Sequence, residues 1–341
     1  MASTSVARYA LRELLTVIPP CTSLEPYRDQ NLNTWRTGGS YTYTSSTKSE
    51  FVLQVNHREF AAATFADAQH LLNQTTEHRA QLLQCISSGN EPSPTWLFVT
   101  LYYMGLYAAL AWTRAVNQAV VYLDKDAIQK FCGSSPTIPG GGSFIVKFVD
   151  LGIASSPEVH ISKSLSHFHE AVWARVAHIA SDAYKWINLS ISTRSGSAEE
   201  LLALRALDIL SKAPFKSMTT WPSKLRNALN YRPGFSYRGV VKNNILRTKS
   251  RLSQHGLSDL ESIVSYCETA RIKIGKAEHP ADSPNESIDL LIGVALLLEY
   301  FADESFLEIC KVQDLTSSAS RQRKSYRKTN CTAPKNTLLA V

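Results

Sequence analysis

The spacing of apolar residues along the chain predicts a mainly α-helical protein. Residues 58–87 repeat apolar side chains at helical intervals, and no helix breaker occurs before Gly89. The apolar positions of this segment are Phe60, Ala63, Ala68, Leu71, Leu72, Leu82 and Leu83. We therefore expect one long helix here, with its apolar side packed against the rest of the protein.

A second helix is predicted over residues 95–116, the most apolar segment of the chain. No charged residue occurs from Pro94 to Thr113, and a segment of this length suffices to cross a bilayer. Two features favour a core helix instead. The tyrosines lie in the middle of the segment and not at two interfaces, and no cluster of Lys or Arg flanks it. We expect a buried bundle helix, with membrane insertion as the alternative.

Further helices are predicted from periodicity and from capping boxes, in which Ser is followed three residues later by Glu. The boxes are Ser197–Glu200, Ser258–Glu261 and Ser283–Glu286. They open helices that end near Leu210, Lys273 and Val312. Periodicity alone predicts helices over residues 1–18, 160–187 and 239–255.

Short β-type runs interrupt the helical pattern. They occupy residues 41–44, 51–55, 119–123 and 144–149. Gly140-Gly141-Gly142 lies between the last two runs. No Gly-Lys-Ser/Thr sequence follows, and Phe144 begins a strand where a phosphate-binding loop needs a helix N-terminus. We interpret the glycines as a hairpin loop, so the predicted fold is a helical bundle with a small β-hairpin insertion.

Positive charge is concentrated in two segments of the 341-residue chain, whose net charge is +7. Residues 209–258 contain ten Lys or Arg, no Asp or Glu, and five aromatic residues. The segment from Leu315 onward adds six Lys or Arg without an acid, and its few apolar residues predict a disordered basic tail. The remainder is acidic. This distribution favours a polyanionic partner, although the acidic part of the fold could also neutralise the basic stretch.

No metal or cofactor is expected. The six cysteines are widely spaced, which indicates neither a zinc site nor a disulfide pattern and favours a reducing compartment. His167 and His169 point about 200° apart on a helix. His167 and His178 lie about 16 Å apart along its axis, so neither pair can share a metal.

The sharpest signal is a short helix within the acid-free stretch, opened by Thr220-Trp221-Pro222 and ended by Pro233-Gly234. Helical geometry directs Leu225, Ala228 and Leu229 to the core. Arg226, Asn227, Asn230 and Tyr231 are then expected to project together from the exposed side. Cations attract phosphates and rings stack on unpaired bases, so we interpret this helix as an RNA-handling surface. The alternative is a solvated basic face beside core aromatics.

Three features together resemble the HEPN superfamily, whose helical bundles include many metal-independent RNases of bacterial defence and toxin systems. The first is the long helix over 58–87 followed by a helix with Tyr102-Tyr103 and Tyr107-Ala108-Ala109. The second is a later helix with Arg226-Asn227, and the third is the interval from that pair to a polar residue at the helix end. In catalytic members the motif is Arg-x(4–6)-His. Here Tyr231 stands where the His would be, and no other stretch fits. The resemblance covers residues 58–232.

The resemblance implies roles for individual residues. Arg226 would stabilise charge on the scissile phosphate through its planar fork of donors. The family's His exchanges a proton near neutral pH, whereas Tyr titrates near a pKa of about 10 and is a poorer base. The implied catalytic residues are Arg226, Asn227 and Tyr231, and the implied RNA-binding residues are Lys224, Asn230, Arg232 and Arg238.

The expected organisation is an N-terminal segment (1–57), a helical domain (58–314) and the basic tail (315–341). The expected function is an RNA-interacting endoribonuclease effector of a defence or toxin–antitoxin system, working as a homodimer or with a partner protein. A non-catalytic scaffold subunit is the alternative. We expect a cytoplasmic protein without a signal peptide, because Arg8 and Arg12 interrupt the first apolar run and Pro19-Pro20 ends it.

Overall fold

A computed structural model of the protein contains ten α-helices and one five-stranded antiparallel sheet within the residues that it describes. Those residues are 32–87, 93–133, 135, 137–149, 157–192, 196–216, 218–231, 252, 257, 259–312 and 319–330. The expectation of a mainly helical protein is therefore confirmed. The helix predicted over 1–18, the N-terminal signals and, apart from Leu252, the helix predicted over 239–255 lie outside the described residues.

The helices, in chain order, are α1 (Leu32–Gly38), α2 (His57–Ser87), α3 (Pro94–Ala115), α4 (Lys125–Cys132), α5 (Phe168–Ser192), α6 (Ala198–Ser211), α7 (Trp221–Tyr231), α8 (Leu260–Ile274), α9 (Pro284–Val312) and α10 (Ala319–Asn330). The strands are β1 (Tyr41–Ser46), β2 (Glu50–Val55), β3 (Ala119–Leu123), β4 (Gly142–Val149) and β5 (Glu158–Lys163).

The apolar helix α3 is the centre of the helical layer. It packs against α2, α5, α7 and α9, and Leu101, Tyr102 and Met104 are completely buried. Among the described residues it is the one helix long and apolar enough to cross a membrane, yet most of that apolar segment is buried inside the protein. A helix that is apolar on nearly every side has no water-facing stripe when neighbours surround it.

Close backbone contacts bring α8 and α9 into this layer. A Cβ on Gly293 of α9 would collide with the sulfur atom of Cys267 on α8. A Cβ on Gly105 of α3 would lie 3.2 Å from the Cβ of Ala295 on α9. The glycines therefore let these helices approach more closely than side chains would permit.

The sheet has the strand order β1-β2-β5-β4-β3. Both predicted strand pairs form, since β1 pairs with β2 and β3 pairs with β4. The prediction of a small hairpin insertion is wrong in extent. Helix α4 occupies the connection between β3 and β4, Gly142 already belongs to β4, and β5 joins the two pairs into one sheet. Strands on both sides of the predicted boundary at residue 57 thus form a single sheet.

The helix predicted over 160–187 begins too early. Residues 158–163 form β5, where buried Val159 and Ile161 alternate with half-buried His160 and Ser162. This alternation has the period of two that suits a strand, and helix α5 starts only at Phe168. Leu165, which helical spacing would place on the apolar stripe, is fully exposed in the connection.

The capping signals predict the ends of the later helices to within about one residue. The Ser197–Glu200 box is present, and α6 ends within one residue of the predicted position. Helix α8 also forms, and its capping box joins Asp259 to Ser262, one residue later than predicted. The third signal correctly marks the start of α9.

The basic tail is ordered over α10, contrary to prediction. Arg323 is 1% exposed, and its Nε donates to Asp303 Oδ1 at 2.7 Å. Its Nη1 also donates to Thr76 Oγ1 at 2.7 Å, and the Tyr326 hydroxyl donates to Glu77 at 2.6 Å. A buried ion pair and hydrogen bonds anchor this helix. Because it has no apolar stripe, its sequence pattern did not predict a packed helix. Residues 331–341 lie outside the described part of the chain.

Candidate functional site

Helix α7 positions the sequence-predicted site against the central helix. Leu225, Ala228 and Leu229 are buried, as predicted, and α7 packs on both α3 and α5. Ser223, in its first turn, is also buried. The side of α7 that carries Arg226 therefore lies partly against the junction of α3 and α5 and is only partly exposed to solvent.

Arg226 lies over two tyrosine rings of α3. Its guanidinium carbon is 5.7 Å from the centre of the Tyr102 ring and 6.0 Å from that of Tyr103, distances at which a cation is attracted to an aromatic face. Its Nη1 donates to Asn227 Oδ1 at 3.3 Å. Its Nε is excluded from solvent and has no hydrogen-bond partner. Within the described part of the chain, no carboxylate pairs with this guanidinium.

Tyr102 connects Arg226 to a histidine that sequence reasoning did not assign to the site. The Tyr102 hydroxyl oxygen lies 2.8 Å from Nδ1 of His169 and 3.2 Å from Oγ of Ser223. It also accepts a hydrogen bond from Trp173 Nε1 at 3.2 Å. The network is satisfied with either His169 tautomer, because Tyr102 can donate its one proton to His169 or to Ser223.

The surroundings of His169 favour its neutral form. Burial lowers its pKa below the ordinary value of 6.5, and the positive charge of Arg226 lowers it further. Its ring stacks on Tyr102 with 5.7 Å between centroids and meets Tyr103 edge-on at 6.1 Å. When Nδ1–H is donated to Tyr102, Nε2 is an unprotonated base. We call Arg226, Tyr102, Tyr103 and His169 the Arg226 cluster.

Tyr102 is itself held in the protonated form. Its pKa is raised because burial penalises the phenolate. Hydrogen bonds from Ser223 and Trp173 and the charge of Arg226 oppose that shift only in part. A neutral phenol serves to position the His169 ring.

The remaining predicted residues are placed unevenly. Asn227 and Tyr231 are exposed, the latter at 73%, whereas Arg226 and Asn230 are half-buried, so the four do not project equally into solvent. The Asn230 Oδ1 atom is buried without a hydrogen-bond partner. Lys224 pairs with Glu170 at 2.6 Å, which reduces its charge at the site. Arg232 and Arg238 lie outside the described residues.

Aromatic side chains extend the cluster along the half-exposed side of α3. Tyr107 follows Tyr103 by one turn, with 6.0 Å between ring centroids, and His78 of α2 lies 5.1 Å from Tyr107. Trp96 lies two turns before Tyr103 and is 69% exposed. These rings form an aromatic surface beside Arg226 on which planar groups can stack.

His169 could not be found from the sequence. It lies on α5, far from Arg226 along the chain, and the Arg-x(4–6)-His spacing concerns residues of one helix. Only the packing of α3, α5 and α7 around Tyr102 brings the two together. Among the described residues, no group of three His, Cys, Asp or Glu side chains could hold a metal ion. No protein-family model, curated protein or solved structure matches this chain.

Proposed function

We propose that this protein binds RNA at the Arg226 cluster and cleaves it as a metal-independent endoribonuclease of the HEPN-like kind, acting in bacterial defence or toxin–antitoxin systems. The observation that carries the proposal is the meeting of an arginine, which has no carboxylate partner among the described residues, and a histidine with a lowered pKa around one buried tyrosine. A phosphodiester supplies an anionic acceptor for Arg226, because the phosphate oxygens accept hydrogen bonds from Nε and Nη of the guanidinium.

His169 completes the chemistry that Tyr231 performs poorly. With Nδ1–H donated to Tyr102, Nε2 accepts the proton of the ribose 2′-hydroxyl, and the 2′-oxygen attacks phosphorus. The bond from phosphorus to the 5′-oxygen breaks, and the 5′-oxygen takes a proton from water. The products are a 2′,3′-cyclic phosphate and a 5′-hydroxyl. Arg226 stabilises the negative charge that accumulates on the phosphoryl oxygens.

The surrounding residues support substrate binding. Tyr103, Tyr107 and Trp96 present ring faces to unpaired bases, and each such contact contributes about 1–3 kcal/mol. Asn227 and Tyr231 lie at the exposed edge, where they contact the sugar–phosphate backbone. Asn230 and Lys224 belong to the same binding surface, and Arg232 and Arg238 remain RNA-binding candidates on the basis of the sequence alone.

The alternative function is a non-catalytic HEPN-like scaffold in a larger defence complex. It is favoured by the absence of a histidine on α7 and by the packing of His169, which is half-buried among Tyr102, Tyr103 and Phe168. In this function Arg226 stacks on the tyrosines to stabilise the bundle. The partner is then another protein subunit or a second copy of the chain.

The test compares the wild type with Arg226→Ala on labelled, partly single-stranded RNA in EDTA at low salt, where phosphate contacts are strongest. Arg205→Ala is the matched control, because Arg205 is an exposed arginine on α6 paired with Glu268. We expect cleavage by the wild type and the control, and loss of cleavage with weaker binding in Arg226→Ala. Binding without cleavage restricts the function to RNA binding. Neither activity in the wild type supports the scaffold.

A further inference from the structure

A cavity of about 200 Å³ lies between the sheet and the helical layer, away from α7. Its walls come from α1, the first half of α2, the end of α3, strands β3, β4 and β5, helix α4 and the first residue of α5. We call it the sheet cavity. Its volume is far above the roughly 10–15 Å³ that a single water molecule needs, so it admits a small organic molecule. Concave apolar sites of this kind are the usual locations of small ligands.

The walls of the sheet cavity are mostly apolar. Three aromatic side chains form one wall, since the Trp35 ring lies 5.0 Å from that of Phe60 and 6.2 Å from that of Phe131. Val121 and Ile161 contribute the floor on the sheet. Apolar groups of a ligand would lose water here without losing hydrogen bonds.

One cation at the sheet cavity has no anionic partner among the described residues. Arg114 also lines the cavity, but it pairs with Asp67 and donates to the carbonyl of Leu110. Arg36 is half-buried, and its Nε is excluded from solvent without a hydrogen-bond acceptor. Within the described ranges no carboxylate pairs with Arg36. A buried N–H without an acceptor carries a desolvation cost that an anionic ligand would remove.

We propose that the sheet cavity binds a small hydrophobic anion, with its apolar body against Trp35, Phe60 and Phe131 and its charged group on Arg36. The unmatched positive charge selects an anion over a neutral molecule of the same shape. The proposal is independent of RNA chemistry at the Arg226 cluster.

The sheet cavity is connected to the Arg226 cluster through the start of α5. Phe168 lines the cavity, and its ring meets the ring of His169 edge-on, with 5.9 Å between centroids. A ligand that packs on Phe168 therefore changes the surroundings of His169. The imidazole resonances of His169 in a nuclear magnetic resonance spectrum provide a local report of occupancy.

Two fluorescent probes test the proposal on the full-length protein. 1-Anilinonaphthalene-8-sulfonate carries a negative charge, and N-phenyl-1-naphthylamine has the same ring system without it. We expect Arg36→Gln to weaken binding of the sulfonate about tenfold, as expected for loss of a charge-assisted hydrogen bond, and to change binding of the neutral probe less than about twofold. Val121→Trp, which fills the cavity, should abolish binding of both.

The control is Arg205→Gln, which removes an exposed arginine from α6, and circular dichroism checks the fold of each variant. The proposal is overturned if the wild type binds neither probe, if Val121→Trp binds both as the wild type does, or if Arg36→Gln weakens both probes equally. A shift of the His169 resonances on sulfonate binding in the wild type, absent in Val121→Trp, places the probe beside Phe168.

Discussion

The hydroxyl oxygen of Tyr102 lies 2.8 Å from Nδ1 of His169, and this contact joins α3 to α5 directly beside Arg226. Tyr102 is completely buried, so its hydroxyl has no access to water and depends on protein partners. The Tyr102 hydroxyl holds the His169 ring in place, and the Arg226 guanidinium lies over the Tyr102 ring. The first prediction concerns this contact.

Tyr102→Phe should lower the free energy of unfolding by about 1–3 kcal/mol, because Trp173 Nε1 and Ser223 Oγ lose a partner in the core. Urea denaturation measures the change. Tyr122→Phe is the matched control, since Tyr122 is mostly exposed on β3 and its hydroxyl can bond to water. Equal stability of the two variants would show that the Tyr102 hydroxyl is unimportant to the fold.

The pKa of His169 should depend on Arg226. Burial and the Arg226 charge both lower it, so Arg226→Gln should raise the His169 pKa towards its ordinary value, with the part due to burial remaining. Titration of the His169 imidazole by nuclear magnetic resonance measures the shift. Lys212→Gln is the control, because Lys212 is paired with Asp208 on α6. An unchanged His169 pKa in Arg226→Gln would show that the charge of Arg226 does not affect the protonation of His169.

The same shift predicts a pH dependence of stability. The unfolded chain binds a proton on this histidine near pH 6.5, and the folded protein binds it only at lower pH. The contribution of neutral His169 is therefore fully present above about pH 6.5 and is lost as the pH falls through the folded-state pKa. Denaturation between pH 7 and pH 5 should show this loss in the wild type, and His169→Gln should lack that component.

Gly293→Ala should destabilise the protein although alanine is the better helix former. The added methyl group would collide with Cys267, and overpacking of a core costs about 1–3 kcal/mol. Cys267→Ala in the same chain removes the sulfur and should restore part of the lost stability. A double-mutant cycle by urea denaturation measures this coupling, and additive effects would contradict the close contact of α8 with α9.

Arg323→Ala should release α10 from the bundle. Removing the guanidinium breaks the buried ion pair with Asp303 and the hydrogen bond to Thr76, which costs about 3–5 kcal/mol. Limited proteolysis should then cleave within residues 319–330 faster than in the wild type. Lys324→Ala is the control, because Lys324 is exposed on the same helix. Equal cleavage rates would mean that Arg323 does not anchor α10.

Elements that depend on local periodicity and capping could be predicted from the sequence. Helix α3, the box at Ser197 and the buried side of α7 are all properties of neighbouring residues. The five-stranded sheet was underestimated because the pairing of β2 with β5 joins residues far apart in the chain. Helix α10 was missed because a buried Arg323 resembles a solvated one in sequence.

The sequence indicated only the part of the candidate site that lies on α7. Arg226 was identified because it lies in an acid-free basic stretch, and the placement of its neighbours on α7 results from helical geometry. The position of His169 depends on three helices meeting at Tyr102, which no spacing within one helix encodes. The same reason explains why the sheet cavity, built from eight elements, had no counterpart in the sequence pattern.

The most direct test of the central claim, that Arg226 and His169 act together on one RNA phosphodiester, is the cleavage rate of bound RNA by His169→Gln. The protein is added in EDTA at a concentration that saturates the RNA, so that the observed rate is that of bound RNA. The affinity for RNA is measured on the same samples. We predict that the substitution slows cleavage by about 100-fold or more while affinity changes less than about twofold, and that wild-type products end in a 2′,3′-cyclic phosphate. Cleavage at the wild-type rate by His169→Gln would contradict the claim.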